Sequence, residues 1–212
     1  MNIIQAIRKV CEQDNGFRIM FDESKGLKEL KKYCTELIQL DNFTKLIYGS
    51  ARNKLIELLN NVSLYLEYIN PIVDLLKQDG LNEKTAKETL DIFFITFAFP
   101  GYKNIDREKE NEFVCYETDK FKMIYKGESE NNIENGIGKR EQYYDGKWCG
   151  VDECLFINGK MVGYCILKEL ELESFMVEKI SFVIDDYCVG KIKHIYDDGE
   201  IEYLDGEKLN IN

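Results

Sequence analysis

The chain has 212 residues, with 28 Lys and Arg against 39 Asp and Glu, so its formal net charge is −11. Hydrophobic residues make up 44% and aromatic residues 12%, which excludes an intrinsically disordered chain. The acidic balance argues against direct binding to nucleic acid, because phosphate contacts need clustered Lys and Arg. The length predicts one or two domains.

The charge is unevenly distributed along the chain. Residues 1–101 carry 13 basic and 14 acidic side chains, whereas residues 102–212 carry 15 basic and 25 acidic ones. Pro100-Gly101 precedes a highly charged stretch at 103–112. These shifts predict a helical domain over 1–101 and a second domain over 112–212, joined by an exposed linker.

The first domain shows apolar residues at helical spacing. Four of its predicted helices cover 2–12, 27–40, 51–69 and 72–78. A fifth begins at Asn82, a good helix-capping residue, and ends before Pro100. The third helix is expected to stop at Asn70-Pro71, because proline disfavours helix in the residue before it. About five helices with short connections predict an all-α bundle.

The last predicted helix is rich in phenylalanine, with Phe93, Phe94, Phe97 and Phe99 close together. One interpretation is a docking face for a partner. The other is the core of the bundle, which this spacing favours because such stripes usually pack against neighbouring helices.

The second half repeats itself every 27 residues. Aligning 125–146, 152–173 and 179–200 superimposes Gly136, Gly163 and Gly190. The polar pairs Asn131-Asn132, Asn158-Gly159 and Asp185-Asp186 also coincide. Asn-Gly adopts positive φ readily and closes a hairpin. Each unit therefore predicts a hairpin, and stacked hairpins predict an antiparallel β meander, giving an α+β chain overall.

The repeats resemble a known family. Tyr125-Lys-Gly127-Glu128, Asn135-Gly136-Ile-Gly138 and Tyr144-Asp145-Gly146 are similar to a MORN repeat, whose pattern is Tyr-x-Gly-Glu, Gly-x-Gly and Asp-Gly along two strands. Later stretches of 158–206 match its turn and second strand. The resemblance implies a scaffold for protein or lipid contacts, with no chemistry of its own.

Few residues suggest catalysis or metal binding. His194 is the only histidine, so a Cys–His or Ser–His enzyme would have to use it. Its place in a repeat strand instead favours a surface or half-buried structural residue. No Cys-x-x-Cys pair accompanies it, so neither a zinc site nor any cofactor is expected. The Asp-Gly pairs lack the alternating carboxylates of a calcium loop and are typical of turns.

The seven cysteines are expected to be reduced and packed as small hydrophobic side chains. No secretory leader opens the chain, and no apolar run approaches the length of a membrane span. We therefore expect a cytoplasmic protein that does not bind membranes.

Two groups of aromatic and acidic side chains are candidates for partner binding. They are Tyr143, Tyr144 and Trp148 around one turn, and Tyr196, Asp197, Asp198 and Glu200 around another. Aromatic residues beside acids suit a basic, partly apolar protein surface, although packing between stacked hairpins would also explain them.

The leading hypothesis is a non-enzymatic interaction scaffold or adaptor built on MORN-like repeats. An alternative is a small acidic inhibitor, such as an immunity or anti-defence protein, that blocks a basic protein such as a nuclease, since the acidic half would steer cationic partners toward it. A second alternative is an enzyme that uses His194 with a cysteine.

Overall fold

A computed structural model of the chain describes residues 1–13, 15–102, 111–171 and 175–209. Helices occupy its first part and an antiparallel meander its second, which confirms the predicted α+β class. Two compact units are present: within the described residues, one comprises 1–102 with 208–209, and the other comprises 111–207. The predicted linker lies almost wholly outside the described residues, and independent folding of the two predicted domains stays a prediction.

The helical unit is built from α-helices of five to 14 residues. They are α1 (Ile3–Cys11), α2 (Gly16–Met20), α3 (Glu23–Tyr33), α4 (Leu37–Tyr48), α5 (Arg52–Leu59), α6 (Tyr65–Gln78) and α7 (Glu83–Thr96). The cap predicted for α7 is confirmed, since the Asn82 side chain accepts the Thr85 N–H at 2.9 Å.

The helix predicted over 27–40 is wrong, because α3 ends at Tyr33 and α4 begins at Leu37. Cys34 has an extended backbone, and the Thr35 N–H donates to the Met1 carbonyl at 3.0 Å. This long-range hydrogen bond takes the backbone donor that a continuous helix would use internally. As a result, Leu37 and Ile38 are 70% and 80% exposed rather than buried in a helix stripe.

The predicted helix boundary at Pro71 is also wrong. After α5, a 3₁₀ turn (Val62–Leu64) leads into α6, which continues through Pro71 to Gln78. Proline inside a helix removes one hydrogen bond and costs about 3 kcal/mol. Burial of Ile72 and Val73 in the following turn offsets that cost.

The phenylalanines in the last turn of α7 and directly after it lie in the core of the helical unit. Phe93, Phe94, Phe97 and Phe99 are completely buried, so the core interpretation is confirmed and the docking face is excluded. The rings of Phe94 and Phe99 lie 4.6 Å apart between centroids, at a tilted angle that suits aromatic pairs.

The second unit is one eight-stranded sheet in which each strand pairs with the next along the chain. The strands are β1 (Asn111–Glu117), β2 (Phe121–Glu130), β3 (Ile133–Tyr144), β4 (Lys147–Ile157), β5 (Lys160–Glu171), β6 (Phe175–Ile184), β7 (Tyr187–Tyr196) and β8 (Ile201–Asp205).

The 27-residue register is confirmed by backbone conformation. Both residues of each predicted turn have positive φ, for example 50° and 79° at Asn158-Gly159. The aligned Gly136, Gly163 and Gly190 also have positive φ, which only glycine adopts without strain. One contact between neighbouring hairpins recurs 27 residues later: the Gly159 N–H donates to the Glu134 carbonyl at 2.9 Å, as Asp186 N–H does to Met161 at 3.3 Å.

The two faces of the sheet differ in chemistry. Directly paired residues share a face, so one row crosses every strand: Phe113, Tyr125, Arg140, Asp152, Leu167, Lys179, His194 and Glu202. We call this side the tyrosine face, after Tyr125. The opposite side, the lysine face, carries cross-strand ion pairs such as Lys168–Glu178 at 2.8 Å.

The cysteine prediction is wrong for two of the seven residues, because Cys154 and Cys165 form a disulfide between β4 and β5. Their Cα atoms lie 4.6 Å apart, within the usual range. The repeat register brings them together, since the equivalent positions of the first unit are the directly paired Gly127 and Gly138. The remaining five cysteines of the described chain form no disulfide.

Candidate functional site

The β7–β8 hairpin carries the densest acidic surface of the sheet. Between 197 and 207 the sequence has six acids and no Lys or Arg. Every residue from Asp197 to Asp205 is exposed to solvent. This stretch includes three of the four predicted binding residues on this hairpin, Asp197, Asp198 and Glu200, so the structure places them together at the surface.

Short hydrogen bonds hold this hairpin in one shape. The Tyr196 N–H donates to the Glu200 carbonyl at 2.9 Å, and the Glu200 N–H donates to the Asp198 carboxylate at the same distance. The Tyr196 hydroxyl, the fourth predicted residue, donates to Glu202 at 2.9 Å. Tyr196 is therefore partly buried and orients an acid rather than offering a free aromatic surface.

The last strand, β8, exposes apolar side chains beside its acids. Ile201, Tyr203 and Leu204 are 49%, 47% and 41% exposed. Large apolar side chains grouped beside charge mark interaction sites more often than scattered ones do. We call Asp197–Asp205 the acidic edge, because it joins the acidic turn to an outermost strand of the sheet.

The other predicted group lies apart from the acidic edge. Tyr143 pairs with Trp148 across β3 and β4, and Tyr144 is 53% exposed beside the turn. Tyr143 projects from the lysine face, since it is an odd number of residues from Arg140, whereas Tyr196 shares the face of His194. The Tyr143 hydroxyl donates to Glu141 at 3.0 Å, and this bond raises the pKa of the phenol.

The two groups also lie at different strands, because β5 and β6 separate β4 from β7. The structure therefore does not unite the predicted residues into one surface. Of the predicted residues, only Asp197, Asp198 and Glu200 belong to the acidic edge.

His194 is buried rather than half-buried, with 7% of its surface exposed, which corrects the sequence prediction. It lies in the row of the tyrosine face, between Lys179 on β6 and Glu202 on β8. Neither register partner is a cysteine or serine.

Buried charges lie in the middle of the tyrosine face. The Arg140 guanidinium contacts Glu134 at 3.1 Å, donates to the Gly159 carbonyl at 2.9 Å and lies over the Phe156 ring. Beside it, the Gln142 amide donates to the Asp152 carboxylate at 3.0 Å. Burial raises the pKa of Asp152 to about 6, although Arg140 acts in the opposite direction. These contacts join β3 to its neighbours within the sheet.

The Cys115 thiol lies in the same sheet. Burial, together with a hydrogen bond to Glu134, raises the pKa of the Cys115 thiol to about 11. A thiol with a raised pKa is a poor nucleophile at neutral pH. Within the described residues, no group of three His, Cys, Asp or Glu side chains is placed to hold a metal ion.

The helical unit offers a second surface, a groove of about 490 Å³ between α1, α4 and α7. Its walls include Ile3, Glu36, Gln39, Glu88 and Ile92. Leu37 and Ile38, the exposed apolar side chains at the start of α4, directly follow Glu36 in the sequence. The Glu36 carboxylate is already engaged, since it accepts the Ile3 N–H at 3.1 Å.

Sequence reasoning missed Ile201, Glu202 and Leu204 as members of the acidic edge. The signal that identifies them is the absence of Lys and Arg from 197 to 207, combined with apolar residues between the acids.

Comparison with known proteins identifies no relative: no family model matches the chain, and neither the curated proteins nor the solved structures contain a match. None of the helices in the described ranges combines the length and apolarity needed to cross a bilayer.

Proposed function

We propose that this chain is a non-enzymatic interaction protein that binds a partner with a basic surface. The observation that carries the proposal is the acidic edge, which combines a continuous exposed segment, five acids with no Lys or Arg among them in the sequence, and three exposed apolar side chains. Acids supply steering and specificity, and apolar side chains supply the buried contact area.

The repeat architecture supports a scaffold role. A meander of 27-residue hairpins with tyrosine packed against Gly138 agrees with the MORN-like pattern read from the sequence. Such a sheet holds its edge in a fixed shape, and a rigid surface loses little entropy on binding. We keep the MORN-like assignment, a cytoplasmic location and the lack of enzymatic activity as parts of this proposal.

The inhibitor hypothesis would use the same surface. An acidic edge that covers the basic groove of a nuclease would bind with fast, salt-dependent association. The identity of the partner separates the two roles, because a basic toxin or nuclease supports inhibition and a stable assembly component supports a scaffold.

The test compares two charge-reversed variants. In one variant, Asp197, Asp198 and Glu200 are changed to Lys. In its matched control, the exposed Glu112, Glu117 and Asp119, which lie at the opposite edge of the sheet on β1 and the turn after it, are changed to Lys. Affinity capture identifies the partner, and its association rate with each variant is then measured by biolayer interferometry. We expect the first variant to associate about tenfold more slowly and the control to change little.

Equal association rates for both variants would overturn the proposal, since only total charge would then matter. Binding of the wild type to duplex DNA or phosphatidylserine vesicles at about 0.15 M salt would also contradict it, because an acidic edge repels phosphates at distances shorter than the Debye length of about 8 Å.

A further inference from the structure

We infer that β8 receives an extended segment of the partner, with alternating basic and apolar residues, as an additional antiparallel strand of the sheet. This inference rests on the proposed function and specifies how the acidic edge binds. Addition of a strand to an exposed edge is a recurrent mode of peptide recognition, in which backbone hydrogen bonds supply affinity and alternate side chains supply specificity.

The backbone of β8 is oriented for this pairing. The hydrogen bond from the Tyr196 N–H to the Glu200 carbonyl fixes the phase of the β7–β8 ladder. In an antiparallel ladder, the backbone N–H and C=O groups of successive residues point alternately toward the paired strand and away from it. Ile201, Tyr203 and Asp205 therefore direct their N–H and C=O groups away from β7, and no strand among the described residues pairs with that side of β8.

From Glu200 to Tyr203 the side chains alternate in chemistry between the two faces, whereas Leu204 on the tyrosine face and Asp205 on the lysine face end the alternation. Glu202 lies opposite His194 on the tyrosine face, and Glu200 shares that face because it is two residues away. Ile201 and Tyr203 project from the lysine face. An added strand with Lys or Arg on one face and apolar residues on the other would match both sets.

Neighbouring lysines do not cancel this pattern. Lys191 lies opposite Asp205 and Lys193 opposite Tyr203, both on the lysine face. Asp205 shares that face with both lysines, whereas Glu200 and Glu202 lie on the tyrosine face, away from them. Lys179, the nearest basic side chain of the row on that face, is paired with Glu169.

The edge has only part of the usual protection against strand addition. Natural edge strands are blocked by short length, charged side chains (lysine above all), proline or bulges. β8 has five residues and its charged side chains are Glu202 and Asp205, which repel an acidic strand but attract a basic one. Residues 201–205 contain no lysine or proline, and the register between β7 and β8 is continuous. A second copy of this chain is a poor occupant, because pairing β8 with itself would bring Glu200 and Glu202 of both copies close together.

The test uses the full chain and a short fluorescein-labelled peptide of alternating Lys and Val. Fluorescence polarisation measures its affinity at about 0.15 M ionic strength. In the antiparallel arrangement Val lies opposite Tyr203 and its amide points toward β8. We therefore expect N-methylation of the Val amides to weaken binding about tenfold and N-methylation of the Lys amides to change it little.

A protein variant pair gives an independent measurement. Tyr203→Pro removes an outward N–H that takes no part in the β7–β8 ladder, and Tyr203→Val keeps that N–H with a side chain of similar bulk. We expect the proline variant to bind about tenfold more weakly than the valine variant. Circular dichroism checks that both variants keep the fold. If the proline variant does not fold, the N-methylated peptides alone test the strand addition.

The outcomes separate this inference from the proposed function. If neither methylation nor Tyr203→Pro weakens binding, whereas Glu200→Gln with Glu202→Gln does, the strand addition is wrong and charge-driven binding stands. If the wild type binds the peptide only as well as the glutamine variant does, both are wrong. Dimerisation of the wild type through β8 in light scattering would also overturn the inference.

Discussion

The helical unit and the sheet build their interiors from different chemistry. The buried polar side chains of the helices are Thr89 and Thr96, whose hydroxyls bond to carbonyls of their own helix. The sheet instead buries Glu134, Asp152 and His194. An aromatic core is indifferent to pH, whereas a core with ionisable groups is not. The two units should therefore respond differently to mutation, reduction and pH.

The largest effect is expected in the aromatic core. Phe94 is completely buried against Tyr65, Phe99 and Tyr102. Phe94→Ala should lower the free energy of unfolding by about 3–5 kcal/mol, because it leaves a cavity. Urea titration followed by helical circular dichroism measures the loss. Leu66→Ala, at a side chain that is 65% exposed, is the control, and equal losses would contradict this account of the core.

The disulfide distinguishes the sheet from the helices. Cys154 and Cys165 are separated by 11 residues, and a cross-link over a loop of that size stabilises by about 3 kcal/mol. Reduction should therefore lower the melting temperature of the β signal. Thiol titration of the denatured, unreduced chain should count five free cysteines of the seven. A count of seven would show that the pair is reduced in solution.

The pH response sharpens the comparison further. The pKa of Asp152 is about 6 in the folded chain, against an ordinary value of 3.8. The folded state therefore holds a proton that the unfolded state has already released between about pH 4 and pH 6. The contribution of Asp152 to stability therefore falls across that range as the pH rises, by at most about 3 kcal/mol, and this contribution changes no further above it.

Asp152→Asn should remove this loss, because the amide does not ionise. Its free energy of unfolding relative to the wild type should rise between pH 4 and pH 7, measured by denaturant titration at each pH. Asp119→Asn, at an exposed turn, is the control. A difference between wild type and Asp152→Asn that stays constant with pH would refute the buried-carboxyl explanation.

The smallest effect is expected at the repeat glycines. Gly163 has a φ of 101°, which strains any other residue. Gly163→Val should cost about 1–3 kcal/mol. Lys147→Val, at an exposed strand position of the same sheet, should stay within about 0.5 kcal/mol. Thermal melts of the two variants compare them directly, and equal midpoints would refute the glycine register.

The sheet was more predictable than the helices for a physical reason. Hairpin turns at Asn158-Gly159 and Asp185-Asp186 depend on local backbone preference, which the sequence states directly. The break between α3 and α4 depends on a hydrogen bond between Thr35 and Met1, which are distant in sequence. The passage of α6 through Pro71 depends on burial of its neighbours. Neither of the last two is visible in local periodicity.

The candidate site divides in the same way. The sequence alone determined the acidic character of 197–207, because charge composition needs no fold. Only the tertiary structure decided that Tyr143 and Tyr196 lie on opposite faces, since a face follows from strand register. Register also joined Cys154 to Cys165 and buried His194 between Lys179 and Glu202. Local preference fixes turns, but pairing between distant strands fixes which side chains meet.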